Sequence, residues 1–215
     1  MPTPLASGRE ADVFALDDKR VLRRYRREAD TSAEAATMAY VGGLGYPVPR
    51  VFEARGTEMV LERLDGPTMA QAFVAGDLTL EAGAEMLADL LRSLHELPPW
   101  QENAGASVLH LDLHPENVML TGRGPVVIDW CNASLGEADL DTGLSALIVA
   151  QVAVDGTHPW AALVGEFFDT LLSLLPGDPA RLLDEVVEFR ARQLALAGDQ
   201  IEVLAEAAAW VRGQR

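Results

Sequence analysis

The sequence predicts an α+β protein in which a small β-rich part, residues 1–64, precedes a larger, mostly helical part, residues 65–215. Three observations point there. Before residue 65 the apolar residues fall in short runs separated by polar turns and prolines, the pattern of strands around one inserted helix. After Asp65-Gly66 they recur at helical spacing, and the low aromatic content of 6% favours helices rich in alanine and leucine. Charge divides at the same place. Residues 1–64 carry ten basic and ten acidic side chains, whereas the remainder carries seven and 23, so the whole net charge of −16 lies in the second part.

The elements follow in order. DVFAL (12–16) and RVLRRY (20–25) read as strands joined by the polar turn Asp17-Asp18-Lys19. Residues 31–44 read as a helix, with Thr31 or Ser32 as its cap and glycines at its end. Pro47 and Pro49 break the chain before two further strands, Arg50–Ala54 and Glu58–Leu64. Residues 79–97 place Leu80, Met86, Leu87, Leu90, Leu91 and Leu94 on one helical face, and Pro98-Pro99 stops the run. Asn117–Leu120 and Val126–Asp129 read as short strands flanking a glycine-rich turn. From about residue 137 the pattern is helical, with breaks near Gly156, Pro176-Gly177 and Gly198.

Composition narrows the function classes. A chain this acidic is a poor nucleic-acid binder, because phosphate contacts need basic patches. The acidity serves solubility or draws a cationic ligand to the second part. No run of eighteen apolar residues lacks a charge, so no membrane span is expected. The first residues lack the basic and apolar regions of a secretion signal, and Cys131 is the one cysteine, so a cytoplasmic setting is expected.

The chemistry concentrates in HLDLHPENVML, residues 110–120. As a strand, this stretch would put His110, Asp112 and His114 on one face, an arrangement suited to a transition metal. Imidazole and thiolate donors are scarce elsewhere: only His95, His158 and Cys131 remain. Phosphoryl transfer accounts for more of the residues. It needs a carboxylate to orient the attacking hydroxyl and oxygen donors for Mg²⁺. Asp112 and Asn117 stand five residues apart in one tight loop, and Asp129 ends the apolar run VVID twelve residues later.

The stretch HLDLHPENVML…VVIDW resembles the signature of the aminoglycoside phosphotransferase family, within the bilobal protein-kinase-like fold. The resemblance spans about residues 5–145. It implies Asp112 as the catalytic base, Asn117 and Asp129 as ligands to Mg²⁺, and ATP (or GTP) as co-substrate. His114 takes the place where protein kinases usually have lysine, which is the small-molecule branch. His110, His114 and Asp141 are expected to support the loop, and Cys131 to be packed. Leu111 departs from the glycine often found there.

The resemblance also assigns the nucleotide side. ASGREADV (6–13) matches a glycine-rich loop in which only Gly8 is retained, with Val13 after it. The phosphate-binding lysine of the fold is absent, and register puts Arg23 in its slot, with Val21 on the same strand face. Glu34 would anchor Arg23. Leu61 would stand near the gatekeeper position, and main-chain groups of Glu62 and Leu64 would meet the base. The implied function is transfer of the γ-phosphate of ATP to a hydroxyl of a small molecule. The acidic second part suits a cationic acceptor such as an amino sugar, with Glu137, Asp139, Asp155, Glu166 and Asp169 as candidate contacts. A nucleotide-binding regulatory module without turnover is the alternative, favoured by the missing lysine and the sparse glycine loop.

Overall fold

The structure is a computed structural model that describes residues 4–8, 11–27, 30–101, 105–197 and 203–213. It forms two compact units, one of residues 1–67 and 118–133, the other of residues 68–117 and 134–215. The segment 118–133, beyond the expected boundary near residue 65, thus folds with the first unit.

In the first unit, β1 (Ala6–Ser7), β2 (Ala11–Ala15), β3 (Arg20–Tyr25), β4 (Val51–Arg55) and β5 (Glu58–Glu62) make one antiparallel sheet in the order β1-β2-β3-β5-β4. The hairpin between β2 and β3 closes where the sequence places it, with the Lys19 amide donating to Asp17 Oδ1 at 2.8 Å. Helix α1 (Ser32–Gly43) is inserted between β3 and β4. Thr31 does not cap it, contrary to expectation. Its hydroxyl donates to the Glu58 carbonyl, and Asp30 accepts from the Ser32 amide at 3.0 Å instead.

The hairpin of β7 (Val118–Thr121) and β8 (Gly124–Val127) joins this unit through backbone bonds. Leu120 donates to the Pro67 carbonyl and Val127 to the Pro47 carbonyl, each at 2.8 Å. Gly66, at φ 142°, lets the chain pass so close to Leu120 that a Cβ there would stand 1.9 Å from its carbonyl oxygen. Trp130, 1% exposed, meets Tyr46 edge-on at 5.6 Å and locks the segment in place.

The second unit holds α2 (Met69–Ala75), α3 (Leu80–His95), β6 (Ser107–Leu109), a 3-10 turn at Pro115–Asn117, β9 (Ser134–Gly136), α4 (Ala138–Val154), α5 (Ala161–Leu174), α6 (Leu183–Ala197) and α7 (Leu204–Gly213). Helix α4 is buried along most of its length, from Asp141 to Gln151, as expected of a helix apolar on every side. Helix α3 presents Leu87, Leu91 and Leu94 to the core, all fully buried. Phe167 and Phe168 of α5 stack on Phe73 and Trp210, each at 4.9 Å. Strands β6 and β9 pair with each other, three residues apiece, and bring both ends of the 110–133 stretch together within this unit's chain path. The breaks near Gly156 and Pro176-Gly177 fall between helices, while the one near Gly198 lies outside the described residues. Among the described residues no helix is long and apolar enough to cross a membrane.

Candidate active site

In the first unit, strand alternation puts Val21, Arg23 and Tyr25 on one face of β3. The register sets Arg23 between Val13 and Met59, and Val21 between Ala15 and Leu61. Met59 is fully buried and Leu61 8% exposed, so Arg23 rises from an apolar floor with its own side chain only 11% exposed. A guanidinium there needs counter-charges, and it has two. Nη1 donates to Glu34 Oε1 at 2.8 Å and Nη2 to Asp129 Oδ1 at 2.6 Å. Burial pulls against its charge, but Asp129 and Glu34 outweigh that and hold its pKa above the ordinary value.

Glu34 sits in the first turn of α1, its side chain 5% exposed, and its second oxygen accepts from the Tyr25 hydroxyl at 2.6 Å. Burial drives the Tyr25 phenol up and Glu34 adds to the effect against Arg23, so the tyrosine keeps its proton and remains the donor. Arg23 also stacks over the Tyr25 ring, 4.7 Å from its centroid. Asp129 is reached past the end of β8 with φ 66°, a left-handed conformation that aspartate tolerates better than most residues. Cys131 is exposed, not packed as expected.

The other nucleotide-side residues have definite places. The Gly8 amide donates to the Ala11 carbonyl at 2.9 Å, while Arg9 and Glu10 lie outside the described residues. Glu62 gives its amide to the Arg50 carbonyl at 2.8 Å, and its carboxylate accepts from Arg123 at 3.0 Å. Leu64 follows β5 in the irregular stretch toward Gly66.

The second unit holds the loop 110–117. His110 is fully buried, whereas the His114 side chain is 15% exposed. Residues 110–114 do not form the strand that the metal-site reading would require, and the described residues contain no group of three or more His, Cys, Asp or Glu arranged to hold a metal ion. Leu111 takes φ 59°, the conformation that favours glycine. The loop backbone therefore keeps a glycine-type bend although the side chain differs. Asp141, fully buried in the first turn of α4, restrains that bend by accepting from the Leu111 amide at 2.7 Å and the His110 amide at 3.0 Å. His95 Nε2 lies 3.0 Å from the same carboxylate. Burial alone would raise the Asp141 pKa, but His95 and the His110 amide outweigh it and hold it below the ordinary range.

Asp112 projects from this loop with its side chain 19% exposed. Asn117 ends the 3-10 turn that Pro115 begins, and its Nδ2 donates to the Asp112 carbonyl at 2.9 Å and to the Asp112 carboxylate at 3.2 Å. That fixes the base candidate and turns Oδ1 of Asn117 the other way. His114 Nε2 stands 3.2 Å from Asn117 Nδ2 and 3.8 Å from Asp112 Oδ2. Of the acidic acceptor candidates, Glu137 and Asp139 are paired with Arg181, and Asp155 accepts from Thr157.

A residue that contacts this loop from another element is not identified by the sequence reading. Arg190 of α6 reaches Asp112 Oδ1 at 3.4 Å. The signal was present: Leu183, Val186 and Leu194 form the buried stripe of α6, and Arg190 falls on it at helical spacing, 9% exposed.

Comparison with known proteins is consistent across sequence and fold. The sequence model of the phosphotransferase enzyme family matches residues 2–107 and 100–171. A comparison with curated proteins finds no match. Solved structures share the fold at low identity. The aminoglycoside phosphotransferase APH(2″)-IIa in complex with gentamicin is 15% identical, with 97% of this chain and 89% of that one covered and a TM-score of 0.61. A choline/ethanolamine kinase family protein from Mesorhizobium loti is 14% identical over 99% and 87% of the chains, with a TM-score of 0.62. An ethanolamine kinase from Plasmodium vivax is 10% identical over 97% and 80%, with a TM-score of 0.63. These structures share the protein-kinase-like α+β fold with this chain, and a family match over most of its length leads to one conclusion: the chain belongs to the phosphotransferase enzyme family.

Proposed function

We propose that the chain transfers the γ-phosphate of ATP, with GTP as the alternative donor, to a hydroxyl of an amino sugar or amino alcohol, and that Asp112 is the base. The observation that carries this reading is the hold of Asn117 on Asp112, through both the main-chain and the carboxylate oxygens. A fixed, partly exposed carboxylate is what the attacking hydroxyl needs.

The reaction balances simply. The acceptor oxygen bonds to the γ-phosphorus, the bond from that phosphorus to the β–γ bridging oxygen breaks, ADP leaves, and the hydroxyl proton passes to Asp112. Arg23 supplies positive charge for the phosphates, with Glu34 and Tyr25 holding its stem. Its planar fork favours two oxygens at once, as lysine does not. Val13, Val21 and Leu61, on the same sheet face as Arg23, offer an apolar wall for the base.

The donor chemistry of two side chains suits Mg²⁺. Asn117 Oδ1 and the Asp129 carboxylate are hard oxygen donors, few enough to leave places for phosphate oxygens and water. When bound, the ion would neutralise charge on the phosphates; Asn117 and Asp129 would hold it.

Two features support an amine-bearing acceptor. Residues 65–215 carry 23 acidic against seven basic side chains. Among similar folds, one binds gentamicin and another is an ethanolamine kinase. Glu166 and Asp169, exposed on α5, are the acceptor candidates not engaged in the pairs described above.

The test is an ADP-release screen against amino sugars, amino alcohols and uncharged polyols, run with ATP and with GTP. Amine-bearing acceptors should raise ADP release above the rate with water and yield a phosphorylated product. Tight nucleotide binding with no acceptor turned over would instead establish the regulatory-module reading, which the engagement of Arg23 by two carboxylates favours.

A further inference from the structure

Helix α6 lies beyond residue 171, where the family match ends, yet it contributes directly to the loop that carries the base. Arg190 is the contact. Its Nε donates to Gln151 Oε1 at 2.9 Å, and its Nη1 to Gln193 Oε1 at 3.1 Å and Asp112 Oδ1 at 3.4 Å. Gln193, one turn further along α6, donates from Nε2 to the Leu111 carbonyl at 3.4 Å. One helix therefore touches both the carboxylate of residue 112 and the carbonyl of the residue before it.

A guanidinium only 9% exposed is costly unless its donors are satisfied and its charge is met. Two glutamines orient the group, and the carboxylate facing it is Asp112. The separation matters. At 3.4 Å the pair is longer than a tight charge-assisted bond, so the guanidinium orients the carboxylate without clamping it. Leu111, at φ 59°, sits in a sparsely populated conformation that its surroundings must enforce, and Gln193 adds to the restraint from Asp141.

We infer that Arg190 is a positioning residue: from α6 it aims the Asp112 carboxylate at the attacking hydroxyl, with Gln151 and Gln193 holding the guanidinium in place. This rests on Asp112 being the base. Arg190 meets neither nucleotide nor acceptor in this role, so its loss should lower the rate of the chemical step and leave nucleotide affinity alone.

The probe is Mg-ATP alone, with water as acceptor, and the intact chain. Arg190→Ala should lower kcat for hydrolysis by about ten- to a hundredfold, the effect of a misaimed catalytic group, while KM for Mg-ATP stays within about twofold. Arg190→Lys keeps the charge without the fork and should fall between. A kcat unchanged in both variants would overturn the inference, as would a KM that rises in step with the fall in kcat. A double-mutant cycle of Arg190→Ala and Asp112→Ala, read by chemical denaturation, gives an independent answer. The two changes should be coupled by about threefold or more in the unfolding constant, and strict additivity would refute the pairing. If the unsubstituted protein turns over no ATP with water or with any acceptor of the screen, the phosphotransferase reading fails, and the cycle alone decides whether Arg190 holds Asp112.

Discussion

Arg23 and Arg190 both keep most of the side chain from solvent and face carboxylates, and they differ in how firmly they are held. Arg23 stands on a strand in the middle of a sheet and makes short bonds of 2.8 and 2.6 Å to two carboxylates. Arg190 stands on a helix and meets one carboxylate at 3.4 Å, oriented by two neutral amides. Positive charge for a triphosphate can be built into a rigid ionic cluster, because it must simply be there. A base must give and take a proton, and a looser arrangement around it preserves that freedom.

That contrast can be broken at several points. The largest effect should come from Asp112→Asn, which removes the proposed base and keeps the shape. Transfer should fall by about a thousandfold, with nucleotide affinity retained; turnover near that of the unsubstituted protein would remove Asp112 from the chemistry. Asp129→Asn should next lower the Mg²⁺-dependent affinity for ATP by about tenfold or more, measured by titration with and without the ion. An affinity indifferent to the change would cancel its role as a ligand.

Glu34→Ala tests the rigid cluster. It leaves a buried guanidinium with one carboxylate fewer and Tyr25 without its acceptor, so stability should fall by about 3 kcal/mol, seen in chemical denaturation. A loss within experimental error would show that Asp129 alone suffices.

Asp141→Asn gives the smallest and most pH-dependent effect. Because the folded-state pKa of Asp141 is depressed, its ionised form stabilises the fold fully above its ordinary value of 3.8. That contribution disappears as pH falls through the lower folded-state value. The stability gap between the unsubstituted protein and Asp141→Asn should therefore shrink as pH falls below about 4. A gap that widened on acidification would contradict the assignment.

What the sequence made legible follows from locality. The spacing of Leu87, Leu91 and Leu94 announces α3, and the turn at Asp17-Asp18-Lys19 announces the first hairpin, because each is decided within a few residues. Arg23 and Glu34, eleven residues apart and picked out as a cation and its anchor, meet at 2.8 Å. Strands β6 and β9 escaped notice, since three-residue strands paired across some 25 residues leave no periodic trace. Helix α2 was readable and overlooked: Thr68 and Gln71 form a reciprocal capping box ahead of it. The regrouping of residues 118–133 depends on bonds from Leu120 and Val127 to Pro67 and Pro47, which no local pattern foretells. Arg190 hid for a different reason. An arginine on an apolar stripe is a clear anomaly, but nothing in the chain names its partner.

The thiol of Cys131 offers a practical dividend. It is the sole cysteine of the chain and stands two residues past Asp129. Burial of the sulfur and the Asp129 carboxylate push the thiol pKa up, so a maleimide-linked fluorophore would attach there at alkaline pH, with no other cysteine to remove by mutagenesis. Mg-ATP that draws Asp129 away from Arg23 would alter the dye's surroundings, so one labelled sample could report nucleotide occupancy in real time.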